Sequence, residues 1–473
     1  MSHIDLFNWI ILLGFLLAML ARVLISARHI RSEHREELFF KGTDPSGHEV
    51  NTVTLAATLL ISWVMAKSVQ NTADLGMKFG LPGGAAYATY WLAFIVAGVV
   101  IYRLRVGGFA SIHHFLNSQF GRTAVWLFSL ILLFRLWNEV WSNTMVVAQF
   151  FGDSGSALFI TAAWITTALV LGYSLISGFR GSIITDVLQM ALAAGVLGML
   201  LLFIVPRDQT TEIIASGEWT LVGGVDLIFV ALIQIFSYPF HDPVLTDRGF
   251  ITEPKKMLRG FVLAAVAGVL FITFFSFIGI YNRIVGVGGN STIDTARVLG
   301  LPALLMMNVM MLTAASSTLD STFSSIGKLA AVDLSFGERR VRIRTARLAM
   351  VVMAVLGGAM VHLDPAILSA TTVSGTMVIG LAPVFLLWRW KRAGPLSYWL
   401  SVLIGLACGL AYALKLVPAT IGGGSYGGLL WINVVGTIAC FTAFVLAAVV
   451  VPARPAEQRQ TEQNHTAAQA DIS

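Results

Sequence analysis

Charge and cysteine are both scarce in this chain. Of its 473 residues only 12% are Asp, Glu, Lys or Arg, against 56% hydrophobic residues and a mean hydropathy of +0.79. A soluble protein of this length could not bury so much apolar surface. The two cysteines, Cys408 and Cys440, both sit in late apolar runs and allow neither a disulfide framework nor a metal-ligand spacing. No phosphate-binding glycine loop, nucleophile elbow or Cys/His metal pattern occurs, so nothing argues for an enzyme. The net charge of +6 is no nucleic-acid signal, because the basic residues lie in alternate loops. What is left is an all-α, polytopic protein of the lipid bilayer.

Thirteen apolar spans can be drawn: 5–27, 51–72, 83–102, 123–150, 155–176, 182–206, 226–247, 258–282, 303–333, 346–362, 366–390, 395–415 and 427–452. The first lacks a small-residue cleavage site and is too long for a removed signal peptide. Most of the 31 Lys and Arg residues fall on one side if the N-terminus is outside. The positive-inside rule then predicts an inner or plasma membrane protein with N-terminus out and C-terminus in. The tail 453–473 is polar and reads as a disordered cytoplasmic end.

Spans two to six and seven to eleven form two groups of five. An odd number per group sends the second through the membrane in the opposite sense, the geometry of an inverted repeat. The expected organisation is a peripheral helix and loop over 1–50, repeats over 51–206 and 226–390, and two peripheral helices over 395–452. Helices that open such repeats are commonly interrupted at mid-membrane. Span seven fits, since Pro239 and Pro243 each remove a backbone donor and disfavour helix at the residue before. Span two fits less well, having no Gly or Pro before Gly76.

The most informative stretch is Ala314-Ala315-Ser316-Ser317-Thr318-Leu319-Asp320-Ser321, inside the apolar run 303–333. A central Asp costs about 2.5–3.5 kcal/mol on an insertion scale, so such groups usually face a cavity or an ion path. Ser317 and Thr318 with the Ala314 carbonyl one turn back are candidate sodium ligands, since hard oxygens suit such an ion. The plainer reading is that both hydroxyls bond to their own i−4 carbonyls. Ser317, Asp320, Ser321, Ser324 and Lys328 form one stripe that should face the bundle interior.

Two further segments carry a resemblance. Tyr173-Ser174-Leu175-Ile176-Ser177-Gly178-Phe179-Arg180-Gly181 leads into Thr185-Asp186-Val187-Leu188-Gln189, and Pro243 precedes Arg248 by five residues. Together with Ala314, Ser317, Thr318, Asp320, Ser321, Ser324, Ser325, Asp333 and Leu334, this pattern resembles the sodium/solute symporter family over roughly residues 50–390. The resemblance implies a LeuT-type fold of ten core helices in a 5+5 inverted repeat with peripheral helices. It also implies sodium-driven uptake of a small solute, with sodium as the coupling ion and no obligatory protein partner. Carried over by position, sodium would be held by Ser317, Thr318 and Ala314, with carbonyls near Ile61 and Val64 from the second span. Asp186 matches an acidic position near the sodium path; alternatively it snorkels to the cytoplasmic face.

For the solute, Lys67 and Ser68 in span two, Arg135 and Glu139 in span four, and Ser237, Tyr238 and His241 near the prolines are candidates. Lys67 and Arg135 would meet a solute carboxylate, although Arg135 and Glu139 are spaced i,i+4 and can simply pair. Asp320 would influence ion binding or pair with Lys67 across the cavity. The segment from Ser62-Trp63 to Gly80 also resembles the urea-transporting branch, which keeps a neutral solute open. The rivals are proton-coupled or sodium-independent transport by the same fold, and a transporter-like sensor domain. The short tail speaks against an attached kinase.

Overall fold

The computed structural model describes residues 3–27, 35–42, 50–204, 210–335, 343–365, 367–419 and 421–452. The expected disordered tail 453–473 lies outside them. The described residues form helices joined by short turns: α1 (His3–Ala27), α2 (Thr52–Trp63), α3 (Ala66–Phe79), α4 (Leu81–Val106), α5 (Arg122–Ala148), α6 (Ala157–Ile204), α7 (Asp226–Gln234), α8 (Pro243–Arg248), α9 (Pro254–Val285), α10 (Leu301–Ala331), α11 (Ile343–Met360), α12 (Ile367–Met377), α13 (Leu381–Leu386), α14 (Pro395–Ala413) and α15 (Gly427–Val450). Many are apolar on every face, and their outward rows, such as Leu6, Ile10, Leu13 and Leu17 of α1, are exposed. That pattern suits a lipid solvent rather than water.

Among the described residues nine helices are long and apolar enough to cross a membrane, and α2 with α3 makes a tenth as a pair bent by 65°. The thirteen spans drawn from sequence do not match these helices one for one. The differences have physical causes. Spans 155–176 and 182–206 are arms of the one kinked α6, and spans 226–247 and 366–390 are interrupted into α7/α8 and α12/α13. The kink in α6 is at Gly178, at φ +53°, where a Cβ would lie 2.5 Å from the Phe39 carbonyl oxygen. Only glycine tolerates both conditions.

The α2–α3 break falls at Val64 and Met65 (ψ 64° and 147°) without glycine or proline, contrary to the weak expectation for span two. Tertiary partners hold it open. The Lys67 amide, which has no helical acceptor at the start of α3, donates instead to Asn143 Oδ1 of α5 at 3.2 Å. The second break follows the prolines as expected. Helix α7 stops at Gln234, a 3-10 turn covers Tyr238–His241, and Asp242 caps α8 by accepting from the Val244 amide at 3.1 Å. The breaks touch one another, because Trp63 Nε1 at the end of α2 donates to Asp242 Oδ2 at 2.8 Å.

Helix α3 packs on α9 with backbone nearly touching backbone. A Cβ on Gly279 would lie 1.7 Å from the Ala73 carbonyl oxygen, and one on Gly76 would lie 2.5 Å from that of Ser276.

Candidate functional site

Two polar centres flank the α2–α3 break. The first joins α2, α6, α8 and α10. Asp186 is fully buried, which removes the snorkelling alternative. Its Oδ1 accepts from Ser317 Oγ at 2.6 Å; its Oδ2 accepts from Arg248 Nη2 at 2.8 Å and Ser62 Oγ at 3.3 Å. Thr318 Oγ1 donates to the Ala314 carbonyl at 2.9 Å and reaches the Ser62 carbonyl at 3.4 Å. The plainer i−4 reading therefore holds for Thr318, while Ser317 points at a carboxylate. Ser62 supplies the α2 carbonyl that Thr318 reaches, one residue from the anticipated Ile61 and two from Val64. The carbonyls of Ile61 and Val64 lie past the last closed bond of α2, which runs from the Val64 amide to Leu60. Both residues are fully buried.

Asp320 belongs to this centre rather than to the surroundings of Lys67. It accepts from Thr185 Oγ1 at 2.9 Å and Tyr173 Oη at 3.1 Å. The anticipated Asp320–Lys67 pair does not form, because the α10 stripe faces α6. Among the described residues no Lys, Arg or His nitrogen lies within salt-bridge distance of Asp320. The Arg248 guanidinium is fully buried. It donates to Asp186, Ser321 Oγ (2.8 Å), Thr58 Oγ1 (3.0 Å) and the Val244 carbonyl (2.8 Å). The only hint was its spacing from Pro243.

The second centre lies between α3, α4, α5 and the α7–α8 turn. Lys67 Nζ contacts Glu139 Oε1 at 2.7 Å and Asn138 Oδ1 at 3.2 Å. Arg135 contacts Glu139, as the i,i+4 spacing allowed, and its Nη2 lies 2.9 Å from Asp242 Oδ2. Asn143 Nδ2 supplies Glu139 Oε2 at 2.9 Å. Both cations thus already have carboxylate partners, and Asp242 was not among the anticipated site residues.

Beside them is a cavity lined by Trp63, Met65, Lys67, Ser68, Tyr87, Tyr90, Trp91, Arg135, Tyr238 and Thr371. About 20 Å³ is open to the centre of a water molecule, space for roughly one water, so the pocket is closed down. The aromatic wall is continuous: Trp63 lies edge-on to Trp91 (5.5 Å) and Tyr238 (5.9 Å), and Tyr90 contacts Tyr238 (5.7 Å). Nothing in the local sequence had marked Tyr87, Tyr90, Trp91 or Thr371. Ser237 and His241 are buried but do not line the cavity. Ser237 Oγ donates to the Gln234 carbonyl, and His241 Nδ1 lies 2.5 Å from the Tyr238 carbonyl.

Among the described residues no group of three or more His, Cys, Asp or Glu side chains could hold a metal ion. Hydroxyls, carbonyls and paired carboxylates are the candidate cation ligands.

No protein-family model matches the chain, and no curated protein matches it. Solved structures do. One is a Na+-coupled sialic acid symporter in a substrate-bound, outward-open state: 17% identity, TM-score 0.70, covering 95% of this chain and 99% of that one. Another is Mhp1, a nucleobase-cation-symport-1 family transporter, closed with bromovinylhydantoin bound: 15% identity, TM-score 0.57, 89% and 98% coverage. A third is inward-facing Mhp1: 13% identity, TM-score 0.55, 89% and 97% coverage. These likenesses establish an all-α, LeuT-type fold for this chain. The solved structures are transporters rather than enzymes, which agrees with the absence of enzyme motifs.

Proposed function

We propose that this chain is a sodium-coupled secondary transporter that takes up a small organic solute by alternating access. The carrying observation is an unequal count of ionisable groups at the buried core. Lys67, Arg135 and Arg248 face Glu139, Asp186, Asp242 and Asp320, three cations against four carboxylates, all fully buried. His241 adds no charge: its Nδ1 meets a carbonyl while Nε2 has no partner, so a second proton would be a stranded donor. A buried carboxylate without a counter-charge costs several kcal/mol, and one added cation removes that cost.

The oxygens of Ser317, Thr318, Asp186, Asp320 and the Ala314 and Ser62 carbonyls gather beside the surplus charge and would hold sodium as a co-transported ion. The carbonyls of Ile61 and Val64 are within one or two residues of that set. Sodium there would tie α2 to α6 and α10. It would drive solute uptake only by binding one conformation better than the other. In this reading the N-terminus lies outside and the C-terminus in the cytoplasm of a cell that carries the protein in its membrane, an orientation that the bias of basic residues toward alternate loops supports.

The test is uptake in proteoliposomes at fixed pH, with sodium replaced by choline. Sodium should stimulate uptake, and the S317A/T318A double variant should lose that stimulation. Unchanged sodium-stimulated uptake in the double variant would reject the ion site. The same surplus carboxylate supports a second reading, proton coupling through Asp320; uptake that persists in choline and follows an imposed pH gradient selects it.

A further inference from the structure

The charges beside the aromatic cavity cancel. Lys67 and Arg135 are matched by Glu139 and Asp242, at 2.7 Å and 2.9 Å for the two closest separate pairs. The remaining acceptor positions of these carboxylates are largely filled by Asn143, Trp63 and the Val244 amide. A solute carboxylate that displaced Glu139 or Asp242 would leave a buried anion without a partner, at a cost of several kcal/mol. One that entered without displacing them would face like charges across a desolvated cavity.

What the cavity leaves open is uncharged hydrogen bonding and aromatic surface. Thr371 Oγ1 has no hydrogen-bond partner among the described residues, nor does Arg135 Nε, and both residues are more than nine-tenths buried. Ser68 Oγ accepts from Tyr87 Oη at 3.1 Å and retains a proton to donate. Trp63, Tyr87, Tyr90, Trp91 and Tyr238 supply flat apolar faces.

We infer that the transported solute carries no net charge and presents an amide-type carbonyl oxygen to Thr371 and Arg135 Nε between the aromatic walls, with Glu139 and Asp242 setting that preference. The inference rests on the reading of this cavity as the solute site of a coupled transporter. It replaces the carboxylate-bearing solute expected from Lys67 and Arg135 alone. Because sodium then travels with an uncharged partner, the cycle carries positive charge inward.

The experiment uses the full-length purified protein in detergent with sodium present and reads thermal stabilisation. The panel consists of uncharged and monoanionic solutes and includes the matched pairs nicotinamide/nicotinate and lactamide/lactate. Stabilisation by uncharged members, with any matched anion needing about tenfold more, supports the inference. A preference for anions overturns it, as does a panel in which no uncharged solute stabilises. Stabilisation by sodium alone is read in the same assay: its loss with the charge preference intact breaks the coupling reading and spares this one. In E139Q, Lys67 loses its closest counter-charge, and the anion of a pair should gain roughly tenfold on its amide. D242N, which removes one of the two carboxylates that Arg135 meets, serves if E139Q does not fold. A folded variant with an unchanged charge preference overturns the inference.

Discussion

The two polar centres on either side of the α2–α3 break are made of the same residue types but balance their charges differently. Around the aromatic cavity, Lys67, Arg135, Glu139 and Asp242 sum to zero and are bound to one another. Around the α10 hydroxyls, Arg248 matches Asp186 while Asp320 is served by neutral donors from Thr185 and Tyr173. A closed electrostatic network resists a further charge, and an open one invites a cation. Under the proposed function, the contrast would separate ion and solute by charge alone.

The largest way to break this contrast is Arg248→Met, which leaves two neighbouring buried carboxylates unmatched. Removing one partner of a buried pair costs about 3–5 kcal/mol. The variant should therefore show a steep loss of folded protein by fluorescence-detected size exclusion, partly restored by high sodium. Wild-type stability in sodium-free detergent would contradict the buried pairing.

Asp320→Asn is smaller and opposite in sign. It removes the surplus charge, so protein without sodium should be as stable as wild type or more so, by up to about 1–3 kcal/mol. The stabilisation that sodium confers on wild type should vanish. A sodium-induced melting shift that survives in D320N would show that the imbalance does not recruit the ion.

Thr371→Val sharpens the other side and has the smallest effect. Its hydroxyl has no partner among the described residues, so stability should hold. Losing one hydrogen bond of about 0.5–1.5 kcal/mol should weaken solute binding roughly three- to tenfold. Titrating the solute's effect on melting temperature measures it, and unchanged binding would place the solute elsewhere.

The cation centre was more legible in the sequence than the cavity. Ser317, Thr318 and Asp186 lie in local motifs whose hydroxyl and carboxyl spacing survives into contact, and the α7–α8 break follows from Pro239 and Pro243. Arg248 was not marked as a site residue, because its spacing from Pro243 does not show a guanidinium turned back into the bundle. The α2–α3 break was faint for a different reason. No residue at Val64 or Met65 imposes it, and the partner that holds it, Asn143, is on another helix far along the chain. The aromatic wall combines α2, α4 and the α7–α8 turn, so no single window displays it. The α10 stripe faces the interior as its spacing predicts; of the two roles open to Asp320, the pair with Lys67 does not form, since which interior surface a stripe meets depends on helix packing.

The glycine contacts between α3 and α9 have a mechanical corollary. With no room for even a methyl group between Gly279 and the Ala73 carbonyl, α3 cannot roll or slide across its neighbour without steric collision. Any movement would carry the two helices as one lever, with its pivot at Val64 and Met65, between the proposed ion and solute sites.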